Sequence, residues 1–229
     1  MDEALREAAR AYVEGDWAAC LGLLDAVDST TVNHLELAYL LGLVHARLRN
    51  WDTALLYLEQ VVTGSDEFLK VCQCRLSLSL IYSLTGRSRL AEYELGRLVA
   101  MGFESPQTCS GLGFAAWAQG KTDEALSWYG RALDLDPENP TALNGLGYVL
   151  AASGRDTSTA LAFCRRAVAK NPGNAAYLDS LAWACHRAGR EDEARDLLAR
   201  ALTLAPEENE ILDHARELGG ASRFQDGAT

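Results

Sequence analysis

One stretch of this chain recurs along most of its length, at a spacing that strands would not produce. Residues 106–139 read PQTCSGLGFAAWAQGKTDEALSWYGRALDLDPEN. Cys109, Leu112, Gly113 and Ala116 fall at i, i+3, i+4 and i+7, the apolar stripe of one helix. Gly120 is placed to end that helix at positive φ. Ala125, Tyr129 and Ala132 then mark one face of a second helix, which Pro137 breaks, and Asn139 is placed to cap the next. The small residues Gly113 and Ala125 allow the two helix axes to approach closely, with Tyr129 and Leu133 filling the space beside them. A single hairpin of this kind cannot bury its apolar face alone and needs neighbours. The pattern therefore predicts a row of helical hairpins rather than a closed globule.

The other copies are looser. Residues 1–34 carry Ala8, Gly15, Cys20 and Leu24, and residues 35–68 carry Ala38, Gly42, Ala54 and Leu58. In the second copy Asn50 stands for the turn glycine, as asparagine tolerates the left-handed conformation next best. Leu69, Lys70 and Val71 read as a short extension. Residues 72–105 carry Leu78, Tyr82, Gly86 and Ala91, and end at Met101-Gly102-Phe103 instead of proline. Residues 140–174 hold Gly147, Gly154, Ala160 and Pro172, with one extra residue in the turn 155–159, and residues 175–208 hold Ala182, Gly189, Ala194 and Pro206. Residues 209–218 read as a short polar helix that covers the last hairpin, and 219–229 have the composition of a disordered end. The expectation is an all-α chain of thirteen helices, forming one array over residues 1–218, with turns near Gly15, Asn50, Gly86, Gly120, Gly154 and Gly189.

The order of Leu112-Gly113, Ala116, Gly120, Ala125, Tyr129, Ala132 and Pro137 resembles the tetratricopeptide repeat (TPR) family and its 34-residue pattern. Cys109 and Ala116 depart from the large residue and the tyrosine of that pattern. Tyr177-Leu178-Asp179-Ser180-Leu181-Ala182-Trp183 has the look of bacterial members. The resemblance implies a right-handed superhelix whose first helices line a concave groove that takes peptides or protein segments. At the corresponding positions the N-terminal half offers Tyr12, Glu36, Tyr39, Leu43, Arg47, Gln73, Leu76 and Leu80. The C-terminal half offers Phe114, Trp117, Asn144, Tyr148, Asp179, Trp183, His186 and Arg187. The candidate site is accordingly Tyr39, Arg47, Phe114, Trp117, Asn144, Tyr148, Asp179, Trp183 and Arg187. Aromatic rings of this size anchor partners at many interfaces, but superhelix curvature would also tuck them between neighbouring first helices. The lysine–arginine–asparagine clamp that some members use for chaperone C-termini is not matched.

Net charge of −11 and a pI near 4.8 argue against nucleic-acid and acidic-membrane partners. Together with the rings of Trp117, Tyr148 and Trp183, they favour an extended segment with apolar side chains and neutral or basic character. Six cysteines sit mostly where the repeat needs a small core residue, which fits buried thiols in a reducing compartment. Cys72 and Cys74 lack a second ligand pair, so no metal or other cofactor is expected. His34, His45, His186 and His214 are scattered, and no catalytic motif appears. Asp123-Glu124 and Glu191-Asp192-Glu193 suit helix starts, where negative charge meets the helix dipole. No basic-then-apolar leader precedes the first helix, so a cytoplasmic location is expected, or a periplasmic one if a leader has been removed. The reading is a non-catalytic interaction scaffold. The alternative is a self-associating structural subunit.

Overall fold

The computed structural model describes residues 3–219, so the tail expected to be disordered lies, apart from Gly219, outside the described residues. Among the described residues there are thirteen helices and no strand. By internal packing the chain divides into two compact units at Glu104/Ser105.

The first unit holds three hairpins. They are α1 (Glu3–Glu14) with α2 (Trp17–Asp25), α3 (His34–Arg47) with α4 (Trp51–Gly64), and α5 (Phe68–Leu84) with α6 (Ser88–Ala100). The first helices α1, α3 and α5 pack side by side. Leu5, Ala8, Cys20, Leu24, Leu40, Leu41 and Val44 form the core of the first two hairpins. Leu69, Lys70 and Val71, read as an extension, form the first turn of α5, which is why that helix is 17 residues long. Lys70 fastens this turn by ion pairs to Glu67 and to Glu36 on α3.

The second unit holds α7 (Pro106–Ala118) with α8 (Thr122–Leu135), α9 (Pro140–Ala152) with α10 (Thr157–Lys170), and α11 (Ala175–Arg187) with α12 (Glu191–Leu204), followed by α13 (Asn209–Glu217). Ser105, Asn139 and Asn174 cap α7, α9 and α11 through side-chain oxygens, and Pro106 and Pro140 occupy the first turn where no N–H is missed. Side chains cross between hairpins: Arg155 of the α9–α10 turn meets Asp123 of α8, Arg165 of α10 meets Glu193 of α12, and Arg166 of α10 meets Glu138 of the α8–α9 connection. The extra residue of the fifth repeat is absorbed at Asp156, which sits at φ +32° and caps α10 by accepting from the Thr159 N–H.

Every first helix ends in the same way. In α7 the Lys121 N–H reaches the Ala116 carbonyl at 3.0 Å, and the Gly120 N–H reaches that of Trp117 at 2.8 Å. This doubly bonded end requires a left-handed residue between helix and turn. In the second hairpin the left-handed residue is Arg49 (φ +59°), not Asn50, whose φ is −81°. Arg49 occupies the register position that glycine holds in the other copies. Asn50 is the N-cap of α4, and its amide nitrogen lies 3.3 Å from His45 Nδ1.

The close approach expected at Gly113 and Ala125 is present. Ala125 is fully buried, and a Cβ on Gly113 would stand 2.9 Å from the Tyr129 ring. The other edge of that ring faces Gly145 of the next hairpin, where a Cβ would come within 2.2 Å. Tyr129 thus lies between two glycines, one from its own hairpin and one from its neighbour. All six cysteines are buried, and none is joined in a disulfide.

Candidate functional site

The candidate residues lie on the first helices of both units. In the N-terminal unit they are bound into contacts between helices. The Tyr39 hydroxyl donates to Gln73 Oε1 at 2.6 Å, joining α3 to α5. Burial raises its pKa to about 12, so it remains a neutral donor. Arg47 is exposed, yet its Nε donates to the Tyr12 hydroxyl at 3.1 Å and its guanidinium lies over the Tyr12 ring. Leu43 is buried, whereas Leu80 on α5 is 59% exposed.

In the C-terminal unit the rings form a graded series. Phe114 is 47% exposed. One turn along α7, Trp117 is half-buried and meets Tyr148 of α9 edge-on, with ring centroids 6.0 Å apart. Trp183 on α11 is only 8% exposed and Asp179 only 4%. Arg187 is exposed and reaches toward the turn at Gly154. Trp117, Tyr148, Asp179 and Trp183 therefore belong to one contiguous region. Phe114 stands at its open end, and Tyr39 and Arg47 belong to the other unit.

Burial of Asp179 and Trp183 has a specific cause, which is α13. Ile211, Ala215 and Leu218 bury one face of this short helix in the cluster built from α10, α11 and α12. His214, on the same face, places Nδ1 2.9 Å from both Asp179 oxygens and stacks on the Trp183 ring at 4.4 Å and 18°. Trp183 also meets the His186 ring, tilted at 5.4 Å between centroids. The Tyr148 ring tilts toward His214 at 6.0 Å, and its hydroxyl meets the Glu210 carboxylate. Burial works to lower the His214 pKa. The hydrogen bond and charge of Asp179, with the charges of Glu210 and Glu217, outweigh it and hold the imidazole above the ordinary histidine value. For Tyr148, burial and then Glu210 push the phenol well above its usual range.

Three first helices carry a polar residue at one equivalent position: Ser110, Asn144 and Asp179. Ser110 Oγ and Asn144 Oδ1 are buried and have no partner among the described residues, and neither has Trp183 Nε1. Each such group costs about 1–3 kcal/mol unless it is satisfied from outside. Sequence reasoning placed Asp179 on this face but passed over His214 as one of four scattered histidines. The available signal was spacing, since His214 follows Asp179 by one repeat plus one residue. Among the described residues no group of three His, Cys, Asp or Glu side chains could hold a metal ion, and no helix is long and apolar enough to cross a membrane.

Comparison with known proteins agrees with this architecture. Two tetratricopeptide repeat family profiles match residues 111–175 and 155–213. A TPR repeat-containing protein of Pseudomonas aeruginosa is 36% identical over 86 residues, covering 36% of this chain and 14% of that protein. The chain thus spans a small part of that relative's length. A thermophilic TPR protein of Thermus thermophilus superposes with a TM-score of 0.64 at 22% identity, over 80% of this chain and 98% of its own. Pseudomonas aeruginosa pilF does so with a TM-score of 0.69 at 12% identity, over 93% and 96%. YrrB, described as a TPR protein with an unusual peptide-binding site, gives 0.54 at 17% identity, over 80% and 90%. At these identities the solved structures speak to the fold. Scaffolds of this kind generally mediate protein–protein contacts and are generally non-catalytic. Two overlapping profiles cover residues 111–213, and the same hairpin geometry recurs in the looser copies, so the chain carries tetratricopeptide repeats and its described residues have the all-α TPR fold.

Proposed function

We propose that this protein is a non-catalytic scaffold that takes a protein segment of apolar, neutral-to-basic character on the first-helix face of its C-terminal unit. The observation that carries this reading is Phe114, nearly half exposed at the open end of a stripe whose next members, Trp117 and Tyr148, are fixed by mutual packing. A rigid pair of rings beside an exposed one is a preorganised anchor, which lowers the ordering cost of binding. The acidic surface favours basic or neutral partners. Six buried thiols are in keeping with a reducing compartment, and we place the protein in the cytoplasm.

The test is selection of a displayed random-peptide library on the immobilised full chain, with affinities of the selected peptides measured by fluorescence anisotropy. Phe114→Ala should weaken them about thirtyfold, the loss of a typical hot-spot ring, while circular dichroism stays helical. Peptides that bind the variant unchanged, or a library that yields none, would reject the reading. A second reading, self-association, is favoured by the outer face of α1, where Val13 is 84% exposed beside Arg6 and Arg10. It predicts a concentration-dependent mass in light scattering that Val13→Glu abolishes.

A further inference from the structure

Part of the first-helix face of the C-terminal unit is covered by α13 of the same chain. Asp179 is a buried carboxylate, and a charge so placed persists only with a partner and full hydrogen bonding. The partner is the His214 imidazole, which lies flat on an indole and faces a phenol. An acid below, an aromatic face alongside and a second ring at the rim form the arrangement that recognises planar cations. α13 is a weak holder of that position. It has nine residues, and Glu208 at its N-cap makes no side-chain capping bond. A helix this short is marginal without its docking contacts. With α13 docked, Trp183 Nε1 is buried and has no partner among the described residues, so His214 leaves part of the site's hydrogen-bonding capacity unused.

We propose that Asp179, Trp183 and Tyr148 form a subsite for a planar cationic side chain, that His214 is its resident occupant, and that an arginine- or histidine-bearing segment of a partner protein takes the site when α13 leaves. This rests on the groove reading above and specifies what the groove recognises. The groups around His214 are Asp179 on α11, His186 through its contact with Trp183, Tyr148 on α9, and Glu210 and Glu217 on α13 itself. Apart from His186 and the neutral phenol they are acidic. The docked state therefore favours the protonated imidazole, and docking weakens as pH rises through the raised pKa. An arginine in the same position would hold across that range, because it does not titrate.

The experiment uses the full chain and three labelled synthetic peptides spanning residues 205–219: the natural one, one with His214→Arg and one with His214→Ala. In the full-length His214→Ala variant, whose subsite has lost its occupant, the arginine and histidine peptides should bind at least about tenfold more tightly than the alanine peptide at about pH 6. Near pH 8 the histidine peptide should fall to the level of the alanine peptide while the arginine peptide keeps its affinity. The wild-type chain should bind all three more weakly, because α13 competes. Adding Asp179→Asn should erase the ranking. Three peptides that bind alike, or a ranking that survives Asp179→Asn, would overturn the subsite. A second measurement does not depend on the variant folding. Nitrogen-15 titration of His214 in the wild-type chain should give a midpoint above that of free histidine, and an ordinary midpoint would also overturn the proposal. If the midpoint is raised but no peptide binds, the exchange with a partner is refuted. Phe114→Ala should leave the peptide ranking intact, so failure of this subsite and failure of the Phe114-centred reading give different results.

Discussion

Replacing Gly145 with alanine should destabilise the C-terminal unit, while the same exchange at Gly130 should stabilise it. Both lie inside helices, Gly130 in α8 and Gly145 in α9, so both gain about 1 kcal/mol of helix propensity. A Cβ on Gly130 meets nothing within 4 Å. On Gly145 it would stand 2.2 Å from Cε1 and 2.3 Å from Cζ of Tyr129. The ring has no room to swing away, because its opposite edge lies 2.9 Å from the Cβ position of Gly113 and the residue is 5% exposed. Overpacking of a filled core costs about 1–3 kcal/mol, and a clamped ring belongs in the upper half of that range. After the propensity gain, Gly145→Ala should lose about 1–2 kcal/mol net. At about 2–4 °C per kcal/mol for a chain of this size, it should melt about 2–8 °C lower, and Gly130→Ala about 2–4 °C higher. Urea titration followed by circular dichroism gives the same comparison without assuming a single thermal transition. Adding Tyr129→Leu should recover part of the Gly145→Ala loss. A Gly145→Ala variant as stable as Gly130→Ala would refute the clamped-ring argument.

Ala125→Leu and Ala194→Leu should each cost about 1–3 kcal/mol, because both alanines are fully buried where second helices cross first ones; unchanged midpoints in urea would count against that packing. Arg49→Asn should be close to neutral, whereas Arg49→Val should lose about 1 kcal/mol or more, since a β-branched residue fits φ +59° poorly; equal melting of the two would remove the left-handed turn from the account. The His214–Asp179 pair adds stability that is complete below the unfolded histidine pKa and lost as pH rises through the raised folded-state value. Thermal midpoints from about pH 6 to 9 should therefore fall more for wild type than for His214→Gln, and parallel curves would contradict this. All six thiols should resist a bulky disulfide reagent in the native chain and react on unfolding, and rapid native labelling of any of them would show an opening the structure lacks.

What was legible in the sequence is what repeats. Ala125, Ala160 and Ala194 mark one crossing in successive hairpins, and each is fully buried, so a period of apolar and small residues carried the helices and their pairing. The Arg49 turn was misread because asparagine's preference for the left-handed region was weighed above register, although counting from any turn glycine leads to position 49. Gly145 was passed over for a different reason. Its requirement comes from Tyr129 of the preceding hairpin, and a pattern read one repeat at a time does not contain that neighbour. Leu43 and Leu80 occupy the same register position, yet one is buried and the other 59% exposed, a difference the repeat pattern does not carry.

The polar row Ser110, Asn144 and Asp179 joins the site to that lesson. All three sit at one register position on consecutive first helices, where a packed interior would favour an apolar residue. The corresponding positions of the N-terminal unit hold Leu5, Tyr39 and Leu76, so the polarity is a property of the C-terminal repeats and not of the fold. Ser110 Oγ and Asn144 Oδ1 lack partners among the described residues, while Asp179, the one charged member of the row, is matched by His214. A hydroxyl or amide oxygen can remain unmatched at a cost of about 1–3 kcal/mol, but a buried carboxylate without a cation would cost several times that or take up a proton. The charge at Asp179 therefore dictates the chemistry of whatever lies over it. That explains why α13 carries an imidazole where it faces Trp183 and Asp179, rather than the leucine or alanine that would suffice to shield an apolar surface.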